Sequence, residues 1–369
     1  MPRTGHAAKT RATRAKKKIA GSGKIVRSLL PGFSRQLSAM LSAGMPIVAA
    51  LEAQEEQIDN PNFRPVVTRV KANIQNGTDL SDALAQFPSI FDTLYVNMVR
   101  GGESGGQLAE TIGRIASFLE SNAKLRRKIK SATMYPIIVL CLALAIATGM
   151  IVFVVPVFGG MFEGLGGKLP GPTQFLLDLS HLIRDNALWV IIAVTIIVVA
   201  FRKWKASPAG AYAFDKFVLS LPVFGELTKK VASARFARTF SQLIRSGVPI
   251  LQALDITSGA TGNRVSGQII LNARDTVENG EPLSTALISQ KVFPLMLVRM
   301  MQAGEKTGKV DEMMDNIADF YEDEVDTMLA GLTSLLEPLL MIVLGVLIGG
   351  IVISMFLPIF KIGEIVQGG

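Results

Sequence analysis

Cysteine and histidine are nearly absent from this chain of 369 residues, which contains one cysteine and two histidines. Cys141 lies in a long apolar run, away from His6 and His181, which excludes a disulfide framework, cysteine-based zinc sites and a Cys–His dyad. No pattern of carboxylates, bases or nucleophiles marks another reaction. The sequence therefore predicts a protein that is not an enzyme and needs no metal or cofactor.

Acidic residues are missing from the first 32 positions, which contain nine lysines and arginines. The whole chain has a net charge of +8, so the remaining residues sum to −1. Such a segment is typical of a basic arm near anionic lipid. Nucleic acid is a poorer alternative, because no aromatic residue interrupts the basic run to stack on bases. The segment also lacks the continuous apolar stretch of a secretory signal.

Long apolar runs dominate the composition, which is 49% hydrophobic. Residues 135–158 and 338–360 form runs of 24 and 23 residues without a charge, each long enough to cross the roughly 30 Å hydrocarbon core of a membrane. Residues 186–201 form a third run of 16, flanked by Trp189 and Trp204. The sequence therefore predicts three transmembrane helices, and the amphipathic segment 173–183 is expected to extend the middle one.

Basic segments predict the orientation of these helices. "KLRRKIK" at 124–130 precedes the first run and "FRKWK" at 201–205 follows the second, which places both on the cytoplasmic side by the positive-inside rule. The predicted segments are a basic, disordered cytoplasmic tail (1–32), a cytoplasmic helical unit (33–133), a transmembrane helix (134–158), an external connection (159–185), a second transmembrane helix (186–202), a second cytoplasmic unit (203–331), a third transmembrane helix (332–360) and a short external tail (361–369).

The chain repeats itself at an offset of 202 or 203 residues. The matching pairs are "SAGMPI" at 42–47 with "RSGVPI" at 245–250, "NGTDLSDAL" from 76 with "NGEPLSTAL" from 279, "GGESGGQL" from 101 with "AGEKTGKV" from 303, "YPII" from 135 with "EPLL" from 337, and "VPVF" from 155 with "LPIF" from 357. Two copies of one unit are therefore predicted, each a cytoplasmic region followed by a membrane helix in the same direction. The middle span returns the chain for the second copy.

Both copies have the apolar spacing of helices. Gly-x-Pro and Asn-Gly pairs interrupt the pattern where helices are expected to end, and no clear strand alternation is present. The predicted fold class is an all-α membrane protein with two homologous cytoplasmic helical bundles of about 100 residues each and three transmembrane helices.

The stretch "MQAGEKTGKV" at 301–310 is a near match to a phosphate-binding loop. Three residues rather than four separate Gly304 from Gly308, and Val310 stands where a magnesium-binding hydroxyl is required. In the first copy, Gln107 replaces Lys309, the residue that would bind phosphate. Nucleotide binding is therefore not expected.

With these paired motifs, and with Tyr-Pro and Glu-Pro pairs opening two membrane helices, the chain resembles the type II secretion system protein F family, which includes the inner-membrane platform proteins of type IV pilus assembly. The resemblance runs from about Phe33 to Phe360. It implies six helices in each cytoplasmic bundle. It also implies a platform that contacts a hexameric assembly ATPase, moves pilin or pseudopilin subunits into a filament, joins other inner-membrane machine components and self-associates as a dimer or larger assembly.

The implied location is the bacterial inner membrane, in a multi-pass protein with a cytoplasmic amino terminus and a periplasmic carboxyl terminus. The alternative is a small membrane transporter or channel component, but such a protein would need more polar groups at mid-membrane than Cys141, Thr148 and Ser354. Because secretion, pilus and DNA-uptake machines share these motifs, the sequence leaves the choice among them open.

The recurring Gly–Glu pairs, Gly102-Glu103 and Gly304-Glu305, are expected to form tight turns between helices, with Ser104 or Thr307 capping the next helix. Two roles stay open for them. The pairs either face a partner protein, or the glutamate completes the hydrogen bonds of a helix terminus.

An acidic stripe at Asp311, Asp315, Asp319 and Asp323 recurs every four residues, with further acids at 312, 322, 324 and 326. Each pair of like charges at this spacing destabilises a helix by about 0.2–0.5 kcal/mol, so a compensating cation is expected. The basic segment 124–130 and a partner's basic surface are both candidates, and a solvated acidic face is the alternative. One metal ion cannot reach four carboxylates spread over about 18 Å.

The membrane helices offer candidate packing and kink positions. Small residues four apart allow close helix approach, and proline kinks or ends a helix. Glu337 either sits in the headgroup zone or pairs with a charge on an incoming subunit or another protomer. The candidates are Pro136, Ala143, Ala147, Glu337, Pro338, Gly345 and Gly349.

Overall fold

The computed structural model of the protein describes residues 26–163, 169–288, 290 and 292–367. Regular structure in these residues is helical, without β-strands, as the sequence predicted. The described residues divide into two compact units, which we call the repeat unit (within 26–126 and 215–325) and the apolar unit (within 127–214 and 326–367). The predicted basic tail, residues 1–32, lies mostly outside the described residues, which begin at residue 26.

The helices follow the duplication. The first repeat contributes α1 (Leu30–Ser42), α2 (Ile47–Gln57), α3 (Arg64–Gln75), α4 (Leu80–Ala85), α5 (Thr93–Ser104) and the start of α6 (Leu108–Gly149). A π-helical segment (Met150–Val154), α7 (Val155–Glu163), α8 (Gly171–Asp185), α9 (Ala187–Ala206) and α10 (Pro208–Ser220) come next. The second repeat contributes α11 (Phe224–Arg245), α12 (Ile250–Ala260), α13 (Arg264–Glu278), α14 (Leu283–Ile288), α15 (Leu295–Thr307) and α16 (Val310–Gln367).

Each repeat thus supplies six helices, the number that the resemblance implied. Helices α3 and α13 end at the Asn-Gly pairs, where Gly77 and Gly280 have φ values of 88° and 89°. Only glycine adopts this left-handed backbone readily, which explains why both copies stop a helix with the same pair.

The repeat unit has one core that both copies share. Phe33 and Phe91 of the first repeat have ring centroids 6.5 Å apart, and their counterparts Phe236 and Phe293 are 5.3 Å apart. All four side chains belong to the same buried cluster. Burying a phenylalanine stabilises a fold by about 2–3 kcal/mol, so these rings anchor both halves of the unit.

The two repeats also meet at their backbones. A Cβ atom on Gly101 in α5 would lie 2.6 Å from the carbonyl oxygen of Ser246, which follows α11. Arg114 donates from its guanidinium to the carbonyl of Arg245 at 3.4 Å. At the position equivalent to Gly101 the second repeat has Ala303, so this close approach accounts for one difference between the copies.

Three stretches of helix in the described residues are long and apolar enough to cross a membrane, as predicted: Leu108–Met161, Ala187–Ala206 and Val310–Pro358. The predicted junctions at 133/134 and 331/332 fall inside α6 and α16, which continue through them. The expected outward extension of the middle span was wrong, because α8 is a separate helix that ends at Asp185, before Asn186 interrupts the chain.

The apolar unit has a small interior of its own. Helix α8 inserts Leu176 and Leu177 between the first and third candidate spans, where they cluster with Ala147, Ile351 and Met355. The hydroxyl of Thr173 also donates to the carbonyl of Ser354. Part of the predicted external connection is therefore packed on the apolar helices.

The prolines do not end the membrane helices. Pro136 lies inside α6, and Pro338 and Pro358 lie inside α16. Before Pro156 the first span widens into the π-helical segment, a local change that accommodates the missing N–H and the bulk of a proline ring.

Candidate partner-binding surface

Each Gly–Glu pair caps a helix that is distant in sequence. The Oε1 atom of Glu103 accepts from the N–H of Leu80 at 2.5 Å, and its Oε2 atom accepts from the N–H of Ser81 at 3.0 Å. In the second repeat, Oε1 of Glu305 accepts from the N–H of Ser284 at 3.2 Å, and the Ser284 hydroxyl donates to Oε2. A carboxylate at a helix amino terminus satisfies free N–H groups and interacts favourably with the helix dipole.

This contact joins two of the motifs that identify the repeat. Helices α4 and α14 begin within "LSDAL" and "LSTAL", and the glutamates that cap them come 20 or more residues later. The motifs therefore recur together because one is the hydrogen-bond partner of the other.

The expected tight turns at these pairs were wrong. Gly102 and Glu103 lie in the last turn of α5, and Gly304 and Glu305 lie near the end of α15. Thr307 does not cap the next helix either, since its hydroxyl donates to the carbonyl of Ala303 in its own helix at 2.9 Å.

Close helix packing explains the glycine of each pair. A Cβ atom on Gly102 would lie 2.6 Å from Oγ1 of Thr111 in α6, and one on Gly304 would lie 2.8 Å from Cα of Val310 in α16. The glycine thus lets the long helix that follows pass directly over the end of α5 or α15.

The stretch that is a near match to a phosphate loop is the end of α15. Gly308 has φ 73° and caps that helix in the left-handed conformation, and the Lys309 ammonium lies 3.2 Å from a carboxylate oxygen of Glu312. Its backbone is a helix terminus rather than a loop around an anion.

Two arginines of α11 neutralise the acidic stripe on α16. The guanidinium of Arg238 lies 2.6 Å from Oδ1 of Asp315 and 3.0 Å from Oε1 of Glu322, and it also binds Asp319. Arg245 lies 3.2 Å from Asp311 and 3.1 Å from the second oxygen of Asp315. The stripe is therefore one side of a network between two helices of the second repeat.

Arg238 is the centre of this network, and its side chain is only 12% exposed. Burial opposes its charge, but the hydrogen bonds and charges of Glu322 and Asp319 outweigh burial and raise its pKa. A buried guanidinium with several carboxylate partners is stable as a group, whereas removing one member leaves uncompensated charge.

The basic segment expected to dock on the stripe contacts only its edge. Lys128 binds Asp326, and Lys230 of α11 lies 2.6 Å from Glu324. Sequence reasoning missed Arg238 and Arg245 because four other helices separate α11 from α16 in the chain.

The first repeat contains a simpler version of the same network. Arg35 lies 2.6 Å from Glu120 and donates to the hydroxyl of Ser117 at 2.9 Å. These three residues occupy the positions of Arg238, Glu322 and Asp319. Comparing the charges of the two copies position by position could therefore have found Arg238.

The acidic network faces solvent on one side. Asp319 remains 68% exposed although it binds Arg238, and Ser117, its counterpart, is also exposed. Within the described ranges, no group of three or more His, Cys, Asp or Glu side chains is arranged to hold a metal ion.

Comparison with known proteins tests the resemblance directly. The model of the family "Type II secretion system (T2SS), protein F" matches residues 33–156 and 236–358, two segments that begin and end at paired positions of the duplication. The chain belongs to the type II secretion system protein F family.

The relatives include type IV pilus assembly proteins and type II secretion system proteins F. The chain is 41% identical over 349 residues to the type IV pilus assembly protein PilC of Myxococcus xanthus, which covers 95% of this chain and 84% of that protein. It is 38% identical over 350 residues to PilC of Pseudomonas aeruginosa, covering 94% of both. It is 32% identical over 334 residues to type II secretion system protein F of Aeromonas hydrophila, covering 90% and 86%.

These findings make the chain a component of a secretion or pilus machine and a multi-pass inner-membrane protein. In this protein F family member, the small residues of the two long spans have different surroundings. Ala143 and Ala147 are each 5% exposed, whereas a Cβ atom on Gly345 or Gly349 would meet no atom within 4 Å. Glu337 is exposed at the start of the third apolar run.

Proposed function

We propose that this protein is a non-enzymatic inner-membrane platform that couples a cytoplasmic assembly ATPase to insertion of pilin or pseudopilin subunits into a filament. The observation that carries the proposal is the shared core of the repeat unit, in which two copies of a helical bundle form one body. A compact unit of this kind, attached to apolar helices, suits a protein that transmits force between partners rather than one that binds a small substrate.

The proposed topology places the repeat unit in the cytoplasm and the carboxyl terminus in the periplasm. It rests on the basic residues beside the apolar runs, including Lys203 and Lys205 in the last turn of α9. Two copies of the same orientation then require the middle span.

The acidic network on α16 is the proposed contact for the ATPase or another partner. Asp311, Asp315 and Asp319 are held by arginines of the same repeat, and the exposed parts of Asp311 and Asp319 form an acidic surface that fits a basic partner. Asp323 extends this surface in sequence. The Gly–Glu pairs contribute by fixing α4 and α14, the helices next to α5 and α15.

Self-association is proposed to use the open face of the third span. Gly345 and Gly349 are four residues apart and have no side chains, so another helix can pack closely against this face. Glu337 is the proposed contact for a charge on an incoming subunit or a second protomer.

Crosslinked affinity purification from native membranes, followed by mass spectrometry, tests the platform role. We expect recovery of a hexameric assembly ATPase together with pilin-like subunits, whose identity would distinguish a pilus from a secretion machine. Recovery of the protein alone, under conditions that preserve other membrane complexes, would contradict the proposal and favour a transporter or channel component.

A pair of charge variants tests the proposed surface. Asp319→Lys places a cation on the acidic network, and Ser117→Lys places the same cation at the equivalent exposed position of the first repeat. We expect Asp319→Lys to reduce ATPase recovery at low salt and Ser117→Lys to leave it unchanged, since charge repulsion acts only at the contact surface. Equal recovery with both variants would remove the acidic network from the proposed interface.

A further inference from the structure

The turn between α10 and α11 has a strained backbone. The N–H of Phe224 donates to the carbonyl of Pro222 at 2.7 Å, and Val223 between them has φ 65° and ψ −56°, which together define a γ-turn. Val223 is the only non-glycine residue with positive φ in the described part of the chain. A β-branched residue is strained in this rare form of turn, so the surrounding packing must impose it.

Packing between the two helices imposes this shape. A Cβ atom on Gly225 would lie 2.3 Å from the carbonyl oxygen of Leu219, so the first turn of α11 lies directly against the end of α10. Val223 and Phe224 have 49% and 45% of their surface exposed, and Phe217 in the last turn of α10 is 60% exposed. An apolar, aromatic tip is thus displayed on the repeat unit at a cost in backbone energy.

The ion pairs of α11 show toward which end of the unit this tip lies. Arg245 binds Asp311, Arg238 binds Asp315, and Lys230 binds Glu324, so α11 runs antiparallel to α16. Val223 precedes Lys230 by seven residues, about 10 Å of helix. The tip therefore lies at the end of the repeat unit that holds Glu324, rather than at the end that holds Asp311.

Lysines outnumber acids near the tip, by three to two between residues 215 and 230. Lys216 is exposed, and Lys229 follows in the second turn of α11. Asp215 accepts from the N–H of Arg264 at 2.8 Å, and Glu226 lies 3.3 Å from Lys230. Exposed aromatic and aliphatic side chains beside lysines are typical of segments that lie in the interface of an anionic membrane.

We propose that this tip, residues 221–225 together with Phe217, inserts into the headgroup region of the anionic leaflet on the cytoplasmic side. The proposal rests on the topology proposed above, which puts the repeat unit on that side. The sequence positions of the first repeat that correspond to Phe217, Val223 and Phe224 are Arg14, Ala20 and Gly21, so these three apolar side chains are particular to the second repeat. One repeat would then be fixed at a set height above the lipid.

Site-directed quenching tests this insertion in the full-length protein. In a Cys141→Ala background, Val223→Cys and Ile250→Cys are labelled with the same environment-sensitive fluorophore and reconstituted in vesicles of phosphatidylethanolamine and phosphatidylglycerol. Ile250 is the control, because it is 38% exposed and lies beyond the other end of the 22-residue α11, about 33 Å away.

We expect a lipid with a shallow nitroxide to quench the label at position 223 several-fold more than the label at position 250, and aqueous iodide to show the reverse order. Equal quenching at the two positions would overturn the proposal. Protection of the label at position 223 from iodide that depends on protein concentration rather than on lipid would also overturn it, because it would indicate contact with a second copy. No ATPase or pilin is present, so the result is independent of the platform role.

A second variant separates insertion from folding. Val223→Gly removes the apolar side chain and suits positive φ, so the repeat unit is expected to keep its Tm or gain slightly. With the label at Phe217→Cys, we expect this change to reduce nitroxide quenching by at least half. Unchanged quenching in a folded Val223→Gly protein would contradict insertion of the tip.

Discussion

The Nε atom of Arg238 lies 3.0 Å from Oε1 of Glu322, and Arg35 makes the equivalent contact with Glu120 in the other repeat. The first copy keeps this ion pair near the surface, with both side chains almost half exposed. The second copy buries the arginine and adds Asp315 and Asp319 around it. The same contact is therefore an isolated ion pair in the first repeat and the centre of a charged network in the second.

Removal of the two arginines should have unequal effects. Arg238→Gln leaves several carboxylates without a cation in a partly buried site, and we expect the free energy of unfolding to fall by about 3 kcal/mol or more. Arg35→Gln breaks an exposed pair and should cost less than about 1 kcal/mol. Denaturant unfolding of the detergent-solubilised protein, followed by circular dichroism, compares the two. Similar losses would show that Arg238 is not the centre of the network.

The ion pair of the first repeat should depend on pH in the acid range. The hydrogen bond from Arg35 lowers the pKa of Glu120, against a smaller opposing effect of burial and with help from the charge of Arg35. Because the folded-state pKa lies below the ordinary value of 4.5, the stabilisation is fully present above that pH and is lost as pH falls through the folded value.

The measurement is the difference in Tm between the protein and Glu120→Gln from pH 7 to pH 3 at constant ionic strength. We expect a constant difference down to about pH 4.5 and a shrinking one below it. A difference that grows on acidification would have the wrong sign for a lowered pKa.

The capping role of Glu103 can be separated from that of the residue at the helix start. Asp79 is the N-cap residue of α4, but its side chain makes no capping hydrogen bond, whereas Glu103 binds two N–H groups of that helix. We expect Glu103→Ala to lower stability by about 1–2 kcal/mol and to speed amide exchange at residues 80 and 81. Asp79→Ala should have less than half that effect, and the opposite ranking would assign the cap to Asp79.

Glu305→Ala provides the matching variant in the second repeat, where it should act on α14 in the same way. If the glutamates serve only as caps, recovery of the ATPase should fall in proportion to lost stability in both variants. A loss of recovery without a loss of stability would show a direct contact with the partner.

Gly101 is expected to tolerate no side chain. Alanine normally stabilises a helix relative to glycine by about 1 kcal/mol, but here its Cβ would lie 2.6 Å from the carbonyl oxygen of Ser246. Gly101→Ala should therefore lower Tm. Gly32→Ala in α1, where a Cβ would meet nothing within 4 Å, should leave it unchanged or raise it. Equal behaviour of the two variants would show that the repeats separate easily at this point.

Local and repeating features of the fold could be predicted from sequence. The three apolar runs gave the candidate spans, and the Asn-Gly and Gly-x-Pro pairs gave the ends of helices, because each depends on residues that are neighbours in the chain. The repeat also predicted the middle span, since two copies of one orientation need a return crossing.

Contacts between distant segments were not predictable in this way. Gly102 was expected in a turn because glycine is common there, but its real role depends on Thr111 in the next helix. The partner of Glu103 lies more than 20 residues earlier, and the shared core joins copies 202 or 203 residues apart. In the sequence, such contacts can be detected only by comparing charged residues and glycines at equivalent positions of the two repeats.

The shared core also sets an order of events during synthesis. The backbone of Gly101 packs on Ser246, which is translated 145 residues later. At about 5–20 residues per second, the first repeat waits roughly 7–29 s for the half that completes it. During this interval two apolar runs leave the ribosome, so the first repeat must persist as an unfinished, exposed half while the nascent chain enters the membrane.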